Sequence, residues 1–240
     1  MATARSRGTT ATADSASIAT TPTRTGPYGE AYSLPVGTGR QLASEEGSYF
    51  TAVNATIATE ITGHAAPAIG DEATKPLVYL YNGGTKFITL DFAWFRTDTP
   101  NASSTATYFA VCTAQGGATS RTGGGTAITP TSTRSDSPYA TGAVVYFGAV
   151  ATAPASSKKV GQVMIRPAIA VAEDQYILTF GHEQRLPGYS VSTGTTLADR
   201  INGLPPVTIA PGGELMLAMI CPSGAATAWD GEISIGWFER

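Results

Sequence analysis

Two histidines are the residues best suited to acid–base chemistry in this chain. His64 lies in the segment Gly-His-Ala-Ala-Pro, and His182 precedes Glu183 in Phe-Gly-His-Glu-Gln-Arg. A His–Glu pair could transfer protons in a hydrolase if a nucleophile lay within reach. A histidine just past a strand is more simply explained as an exposed loop residue. We therefore expect no catalytic residue, although a hydrolase acting through His182 and Glu183 stays open as an alternative.

Cysteine and carboxylate patterns give little support for a metal or redox site. Cys112 and Cys221 each lie in an apolar, strand-like stretch, which favours two buried free thiols over a disulfide. Asp71 and Glu72 are adjacent acids that fit a solvated turn. The sequence contains none of the common zinc or calcium ligand spacings. The expected metal ligands and cofactors are therefore none.

Glycine clusters could cradle a phosphate group, but their context argues against it. Gly37 and Gly39 lack the third glycine of a dinucleotide-binding fingerprint. The run Gly123-Gly124-Gly125 is followed by Thr126, where a phosphate-binding loop would have lysine. We interpret both clusters as loop glycines and expect no cofactor-binding residues.

Aromatic side chains raise a different possibility, which is a platform for binding sugars. Trp94, Trp229 and Trp237 fall in phase with aliphatic residues, so core packing is the favoured interpretation. On the loops, Tyr139 and Tyr189 are the aromatic candidates for recognition of a receptor.

Two sites match the glycosylation sequon, Asn54-Ala-Thr and Asn101-Ala-Ser. They carry little weight because no secretory signal is apparent.

Net charge and hydropathy limit the classes of partner that we expect this chain to bind. Charged residues make up 14% of the chain, against roughly 25% in an average soluble domain. Such a surface suits burial against other chains. The net charge of -3 lacks the basic footprint of a nucleic-acid binder, and no apolar stretch is long enough to span a bilayer. We expect a chain made in the cytoplasm that binds neither nucleic acid nor membrane.

The first 27 residues differ from the rest of the chain. They contain eleven Ser or Thr residues and a single large aliphatic residue, Ile18. So little apolar area cannot offset the entropy of ordering the segment on its own. We predict an extended N-terminal arm over residues 1–30 and a single β-sandwich domain over residues 31–240.

Alternation of apolar and polar residues predicts an all-β fold. The Asn-Gly-Gly sequence at residues 82–84 reads as a hairpin turn, and helix should be scarce apart from a possible turn around residues 195–201. The segment from residue 28 to about 75 reads as a long loop region with one or two short strands. We predict strands over residues 77–81, 86–96, 106–112, 143–150, 160–169, 174–180, 214–221 and 229–238.

These strands together predict an antiparallel, jelly-roll-like β-sandwich. Its core should contain one set of side chains that are buried together. The set comprises Leu90, Phe92, Trp94, Leu178, Leu217, Ile233, Ile235 and Trp237.

Several turn and strand-end motifs resemble those of small structural proteins of tailed bacteriophages. The motifs are Pro35-Val36-Gly37-Thr38-Gly39-Arg40-Gln41, Leu80-Tyr81-Asn82-Gly83-Gly84, Thr122-Gly123-Gly124-Gly125-Thr126, Ile209-Ala210-Pro211-Gly212-Gly213 and Gly236-Trp237-Phe238-Glu239-Arg240. The resemblance spans roughly residues 33–240 and includes no catalytic motif. It implies a virion component, with head decoration (cement) ahead of tail or fibre roles.

The expected function is therefore structural rather than enzymatic. The chain would bind the outside of a phage head, contact the major capsid protein or other virion proteins, and self-associate as a homotrimer. An alternative from another class is a receptor- or glycan-binding module of a phage tail or head fibre.

Overall fold

Almost all elements of the protein are β-strands. The computed structural model describes residues 24–25, 31–32, 39–54, 56, 59–65, 67–99, 107–115, 121–154, 156–166, 172, 174–181, 199–222 and 228–240. In chain order, the elements are β1 (Arg24–Thr25), β2 (Ala31–Tyr32), α1 (Gly39–Glu46), β3 (Tyr49–Val53), β4 (Ile61–Thr62), β5 (Val78–Asn82), β6 (Ile88–Thr99), β7 (Thr107–Gln115), β8 (Arg121–Ile128), β9 (Thr131–Ser132), β10 (Ala143–Thr152), β11 (Ser157–Arg166), β12 (Gln175–Phe180), β13 (Asp199–Leu204), β14 (Thr208–Ile209), β15 (Gly213–Ile220) and β16 (Asp230–Glu239).

The strands from β3 onward form two sheets whose apolar faces meet. The six-stranded sheet has the order β11-β7-β15-β5-β10-β8. The eight-stranded sheet has the order β13-β12-β6-β16-β3-β9, with β14 pairing β6 and β4 pairing β16. Described pairs are antiparallel except β12 with β13. Across the core, the ring centroids of Phe95 and Phe109 lie 4.5 Å apart. The predicted all-β sandwich is confirmed.

Contacts within the chain divide it into two units, Met1–Leu42 and Ala43–Arg240. In the first unit, β1 pairs antiparallel with β2, so that Arg24 lies opposite Tyr32. Most of the predicted arm, residues 1–30, lies outside the described residues. Its extended conformation and its boundary with the sandwich therefore stay predictions.

All eight strands predicted from alternation are present, with ends shifted by a few residues. Pro167 cannot donate a backbone hydrogen bond, and this residue predicts that the preceding strand ends early or lies at an edge. The edge position is confirmed, because β11 is the terminal strand of its sheet in the described part of the chain. Pro167 itself lies outside the described residues, so the early end of the strand stays a prediction.

The predicted hairpin at residues 82–84 is wrong. The strands on either side, β5 and β6, belong to different sheets, so this turn crosses the sandwich. The buried Asn82 side chain directs the crossing, because its Nδ2 donates to the carbonyl oxygens of Lys86 at 2.8 Å and Ile209 at 3.1 Å. The Gly83 amide then donates to the Gly142 carbonyl at 3.0 Å. A turn sequence fixes the local bend but not the sheet that the next strand joins.

A short helix, α1, replaces part of the loop expected between residues 28 and 75. Ala43 is buried, and Gly47 ends the helix with a φ of 78°. The Gly47 amide donates to Ser44 O and the Ser48 amide to Ala43 O, which together form a Schellman motif. The helix was missed because it is only eight residues long and shows little apolar periodicity.

Two further expectations are wrong. The glycines at 123–125 lie within β8, where Gly124 and Gly125 have φ angles of 67° and 72° at a β-bulge against β10. The possible helix around residues 195–201 is replaced, from Asp199 onward, by β13, which pairs in parallel with β12. In both places, pairing with a neighbouring strand overrides the local propensity of the sequence.

The predicted core is correct except at two residues of β6. Leu90, Leu178, Leu217, Ile233, Ile235 and Trp237 belong to one buried cluster. Phe92 and Trp94 are half-buried instead, while Ala93 and Phe95 are buried.

A β-bulge at Asp91 causes this change. Leu90 pairs with Trp237 and Phe92 pairs with Gly236, so Asp91 is one extra residue in β6. An extra residue reverses the alternation, and it turns Phe92 and Trp94 to the outer face.

Residues 63–77 cross the outer face of the six-stranded sheet. Ala73 packs there on a second buried cluster that includes Tyr79, Cys112 and Met216. Backbone hydrogen bonds hold both ends of the segment, from the Cys221 amide to Pro67 O and from the Leu77 amide to Leu217 O. Both faces of this sheet are therefore buried along β15.

In the described part of the chain, no helix has the length and apolar character needed to cross a membrane.

Candidate functional site

His64 has a structural role. It is half-buried, and its Nε2 lies 2.7 Å from the carbonyl oxygen of Val150, so this nitrogen carries the donated proton. The adjoining cavity, bounded by Lys75 and Trp229 among others, has a volume of about 10 Å³. That volume holds about one water molecule. His182 and Glu183 lie outside the described residues, so the hydrolase alternative stays a prediction.

The two cysteines are buried free thiols, as predicted. Burial in an apolar environment, together with the nearby Glu72 charge, raises the pKa of the Cys112 thiol above its ordinary value. Cys221 Sγ lies 3.9 Å from Thr107 Oγ1. A protonated, buried thiol is a poor nucleophile and a poor metal ligand.

The acidic pair Asp71 and Glu72 fastens the segment of residues 63–77. Asp71 accepts hydrogen bonds from the Ala68 amide and the Lys75 ammonium, both at 3.0 Å. Glu72 pairs with Lys159 of β11 at 2.6 Å. Burial opposes ionisation of both carboxyl groups, but these donors outweigh it and leave both pKa values below their ordinary range. Among the described residues, no group of three or more His, Cys, Asp or Glu side chains is placed to hold a metal ion.

The glycine run and the first glycosylation sequon also have structural roles. A Cβ on Gly124 would lie 2.0 Å from the Ala149 carbonyl oxygen, so this glycine permits the close approach of β8 and β10. Asn54, in the first sequon, bonds the Thr59 carbonyl and the Ile233 amide. Asn101 and the glycine at 37 lie outside the described residues.

Of the aromatic candidates on loops, Tyr139 is about half exposed, and the Lys86 ammonium lies 4.6 Å from its ring centroid. Tyr189 lies outside the described residues.

Trp229 and Trp237 are buried in the core as predicted, but Trp94 is not. Its Nε1 donates to Gln175 Oε1 at 3.1 Å across the β6–β12 pair. On the same row of the sheet, Trp94 lies between Ile177 of β12 and Ser234 of β16.

The next outward-facing row lies two residues away along the strand, about 6.6 Å. It places Arg96 between Gln175 and Glu232, and the Arg96 Nη1 to Glu232 Oε2 distance is 3.5 Å. We call the two rows together (Trp94, Ile177, Ser234, Arg96, Gln175 and Glu232) the Trp94 surface.

The sequence interpretation missed the Trp94 surface because it assumed unbroken alternation along β6. The run Ile-Thr-Leu-Asp-Phe-Ala-Trp gives no local signal of the bulge, since Asp91 falls in the polar phase of the alternation. The extra residue is apparent only from the register of β6 with β16.

The edge of the six-stranded sheet is a second candidate surface. β11 pairs with β7 on one side and is the last strand of the sheet in the described part of the chain. Between two register shifts, residues 161–164 pair regularly with β7. Val160 and Met164 on this strand are 39% and 48% exposed, which is high for apolar side chains. We call residues 160–164 the β11 edge.

A polar cleft of about 250 Å³ opens beside the start of β11. Its lining includes Lys158, Thr113, Gln115 and Thr208. The Gln115 amide is already engaged, since its Nε2 donates to the Pro211 carbonyl at 3.0 Å. This cleft is smaller than the usual range for a small-molecule site.

Compared with protein-family models, curated proteins and solved structures, this chain matches nothing.

Proposed function

We propose that this chain is a structural protein that is built into a larger assembly, and that it is not an enzyme. The assembly that the sequence resemblance favours is the particle of a tailed bacteriophage, with the chain as a decoration (cement) protein on the outside of the head. Its partners would be copies of itself, as a homotrimer, and the major capsid protein or another virion protein.

The observation that carries this proposal is the β11 edge. An edge strand presents unpaired backbone donors and acceptors, and proteins that stay apart protect such edges with charges, proline or cover. Residues 160–164 have no ionisable side chain, and two of them expose apolar groups. Charge and cover are confined to the start of this edge, where Lys158 and Lys159 precede it and Leu204 and Pro205 lie close to Gly161. This edge favours addition of a strand from another chain, in which the backbone bonds hold the strand and Val160 and Met164 lose contact with water.

The opposite edge of the same sheet has a similar character. Residues 124–127 of β8 are exposed and carry only glycine, threonine and alanine. The low overall content of charged residues points the same way. Contacts at both edges would let each copy touch two neighbours, which an assembly on a particle surface requires.

The described side chains that could take part in chemistry have structural contacts, and this also favours a structural function. His64 bonds a backbone carbonyl, Asp71 and Glu72 hold lysines, and Cys112 is buried. Each of these described side chains stabilises the sandwich or the segment that crosses it.

Charge introduced at the β11 edge tests the assembly role. We expect the full chain to sediment as an oligomer, with three times the chain mass of 24.7 kDa for a trimer. Met164→Lys should weaken self-association, because a lysine there must be desolvated in the interface. Ile69→Lys is the matched control, since Ile69 is 71% exposed but lies away from the edge.

A wild-type chain that stays monomeric, or an equal effect of both substitutions, would contradict the role of the edge. The particle itself is tested separately. Particles purified on a density gradient from a culture that produces the chain naturally should contain it in fixed proportion to the major capsid protein by quantitative mass spectrometry. Particles that lack it would exclude the virion assignment.

A second candidate function is a receptor- or glycan-binding module of a phage fibre. It is favoured by one specific observation, which is the position of Trp94 on an outer sheet face.

A further inference from the structure

The two edge strands of the six-stranded sheet, β11 and β8, run in opposite directions. Each neighbouring pair of strands from β11 to β8 is antiparallel. An even number of alternating strands leaves the first and the last antiparallel to each other. If a second copy lies beside the first in the same orientation, its β8 therefore meets β11 as an antiparallel partner, which is the pairing used in the rest of this sheet.

The exposed parts of the two edges also lie at the same level of the sheet. One row of paired residues crosses all six strands, and its members are Gly161, Val111, Leu217, Val78, Phe147 and Thr126. The next row joins Lys159 to Ala127 in the same way. The β11 edge, residues 160–164, thus begins level with Thr126 and Ala127, where the exposed stretch of β8, residues 124–127, ends.

This equal level decides what kind of assembly the two edges can build. Copies in a ring are related by rotation about one axis, so edges that meet around an axis along the strands must lie at the same height. Edges that meet at different heights build an open helical filament instead. The rows that join β11 to β8 therefore permit a closed ring in which each copy uses both edges.

The side chains of the two edges are complementary in size. Val160 and Met164 of β11 expose apolar groups, whereas Gly124 and Gly125 of β8 have no side chain. A flat glycine edge lets the larger side chains of a neighbouring strand pack against it and lose contact with water. Each strand has a bulge, which limits regular pairing of β11 to residues 161–164. Such a short contact is weak alone, so the second contact that each copy gains on ring closure stabilises the assembly.

Pairing of β11 with β11 of another copy is less favourable. A two-fold contact of this kind brings the cations of both strands together, and β11 contains three of them, Lys158, Lys159 and Arg166. Like charges on paired strands are destabilising. β8 has one cation, Arg121, whose guanidinium lies 3.7 Å from the Tyr146 ring centroid of its own chain. Pairing of β11 with β8 therefore involves less charge repulsion.

We propose that β8 of one copy pairs with the β11 edge of the next, so that the six-stranded sheet continues from copy to copy and closes into a ring. The proposal rests on the assembly role proposed above and names the partner of the β11 edge.

The test mixes two full-length variants, each with one damaged edge. Thr126→Lys places a charge on β8, as Met164→Lys does on β11. Alone, each variant should self-associate about tenfold or more weakly than the wild type, since a lysine in the contact must be desolvated. An equimolar mixture should form a 1:1 dimer and nothing larger, because the intact β11 edge of one variant pairs with the intact β8 of the other. Sedimentation velocity and native mass spectrometry measure the stoichiometry.

The matched control is Thr131→Lys, the same substitution at an exposed position of β9, which is an edge strand of the eight-stranded sheet. It should leave the wild-type oligomer intact. Circular dichroism checks that each variant is folded. If Thr126→Lys does not fold, Ala127→Lys replaces it, since Ala127 is also exposed on β8.

Normal self-association of folded Thr126→Lys, with Met164→Lys monomeric, would overturn the proposal. It would mean that the β11 edge binds a second β11 or the N-terminal segment. A mixture that stays monomeric would also overturn it. Both results leave the assembly role of the β11 edge in place, whereas a monomeric wild-type chain would contradict that role itself.

Discussion

The Tyr49 hydroxyl donates a hydrogen bond to Asp91 Oδ2 at 2.6 Å, and this contact links β3 to the bulge of β6. Asp91 is 1% exposed, so its carboxyl group needs such donors to remain in the sandwich. Beside it, Phe92 packs over Gly236, where a Cβ would lie 2.3 Å from the phenyl ring. The bulge is therefore stabilised by a polar contact and by a glycine on the neighbouring strand.

Tyr49→Phe should lower the free energy of unfolding by about 1–3 kcal/mol, because it removes one donor to a buried polar group. Urea denaturation followed by circular dichroism measures the change. Tyr81→Phe is the matched control, since Tyr81 is half-buried and its hydroxyl has no hydrogen-bond partner in the described part of the chain. Equal effects of the two substitutions would show that the bond to Asp91 contributes nothing.

Trp237→Ala and Trp94→Ala should differ in their effect on stability. Trp237 is fully buried, and its truncation should cost about 3–5 kcal/mol, the usual range for a large buried aromatic residue. Trp94 is half-buried on the outer face, so its truncation should cost roughly 1–2 kcal/mol. Urea denaturation of both variants compares them directly. A larger cost at Trp94 would place it in the core and contradict the bulge.

The positions of the strands could be predicted from the sequence because each one shows local alternation. Their partners could not. The Asn-Gly-Gly turn at residues 82–84 is compatible with a hairpin, and only the long-range bonds of Asn82 to Ile209 direct the chain into the other sheet. Likewise, β13 depends on its pairing with β12, which is not encoded in its own composition.

The Trp94 surface could not be predicted from the sequence for the same reason, since it depends on strand pairing. Trp94 was identified from the sequence as an aromatic residue worth weighing, but its face depends on one extra residue at Asp91. The polar neighbours Arg96, Gln175 and Glu232 come from three strands, and no sequence spacing brings them together. Their relation to Trp94 requires the register of the sheet.

Stability should fall in acid partly through Glu72. Burial raises the pKa of this carboxyl group, but the hydrogen bond from Lys159 outweighs burial and holds the pKa below its ordinary 4.5. A depressed pKa contributes stability above the unfolded-state value, and this stability is lost as pH falls through the folded-state value. Glu72→Gln should therefore lose less stability than the wild type when pH falls from about 5 to about 3, measured by urea denaturation at each pH.

The control for this effect is Asp136→Asn. Asp136 is also paired, with Arg134 at 2.7 Å, but its side chain is 73% exposed. Solvent screening makes such surface pairs weak. The stability of Asp136→Asn should fall with pH by as much as that of the wild type. A fall as small as that of Glu72→Gln would mean that the partly buried Glu72 pair contributes no more to acid sensitivity than an exposed pair.

Both thiols should react slowly in the folded protein. Burial raises the pKa of Cys112 and keeps it protonated, and Cys221 is also buried. Labelling with a thiol-specific chromogenic disulfide at mildly alkaline pH should reach two thiols per chain only when the protein is unfolded. Cys112→Ala assigns the signal to one residue. Rapid labelling of native Cys112 would indicate that residues 63–77 open readily from the sheet.

Deletion of residues 1–27 should leave the sandwich stable and weaken its assembly. The segment has one large aliphatic residue, Ile18, so its own burial contributes little to folding. Its hydroxyl and backbone groups can instead pair with a strand edge on another copy. Thermal unfolding should show nearly the same melting temperature as the full chain, while cosedimentation with particles should fall. The opposite result would be a truncated chain that largely unfolds, or loses its own trimer, while the molecules that remain folded bind particles normally. The segment would then belong to the folded domain and not to the assembly contact.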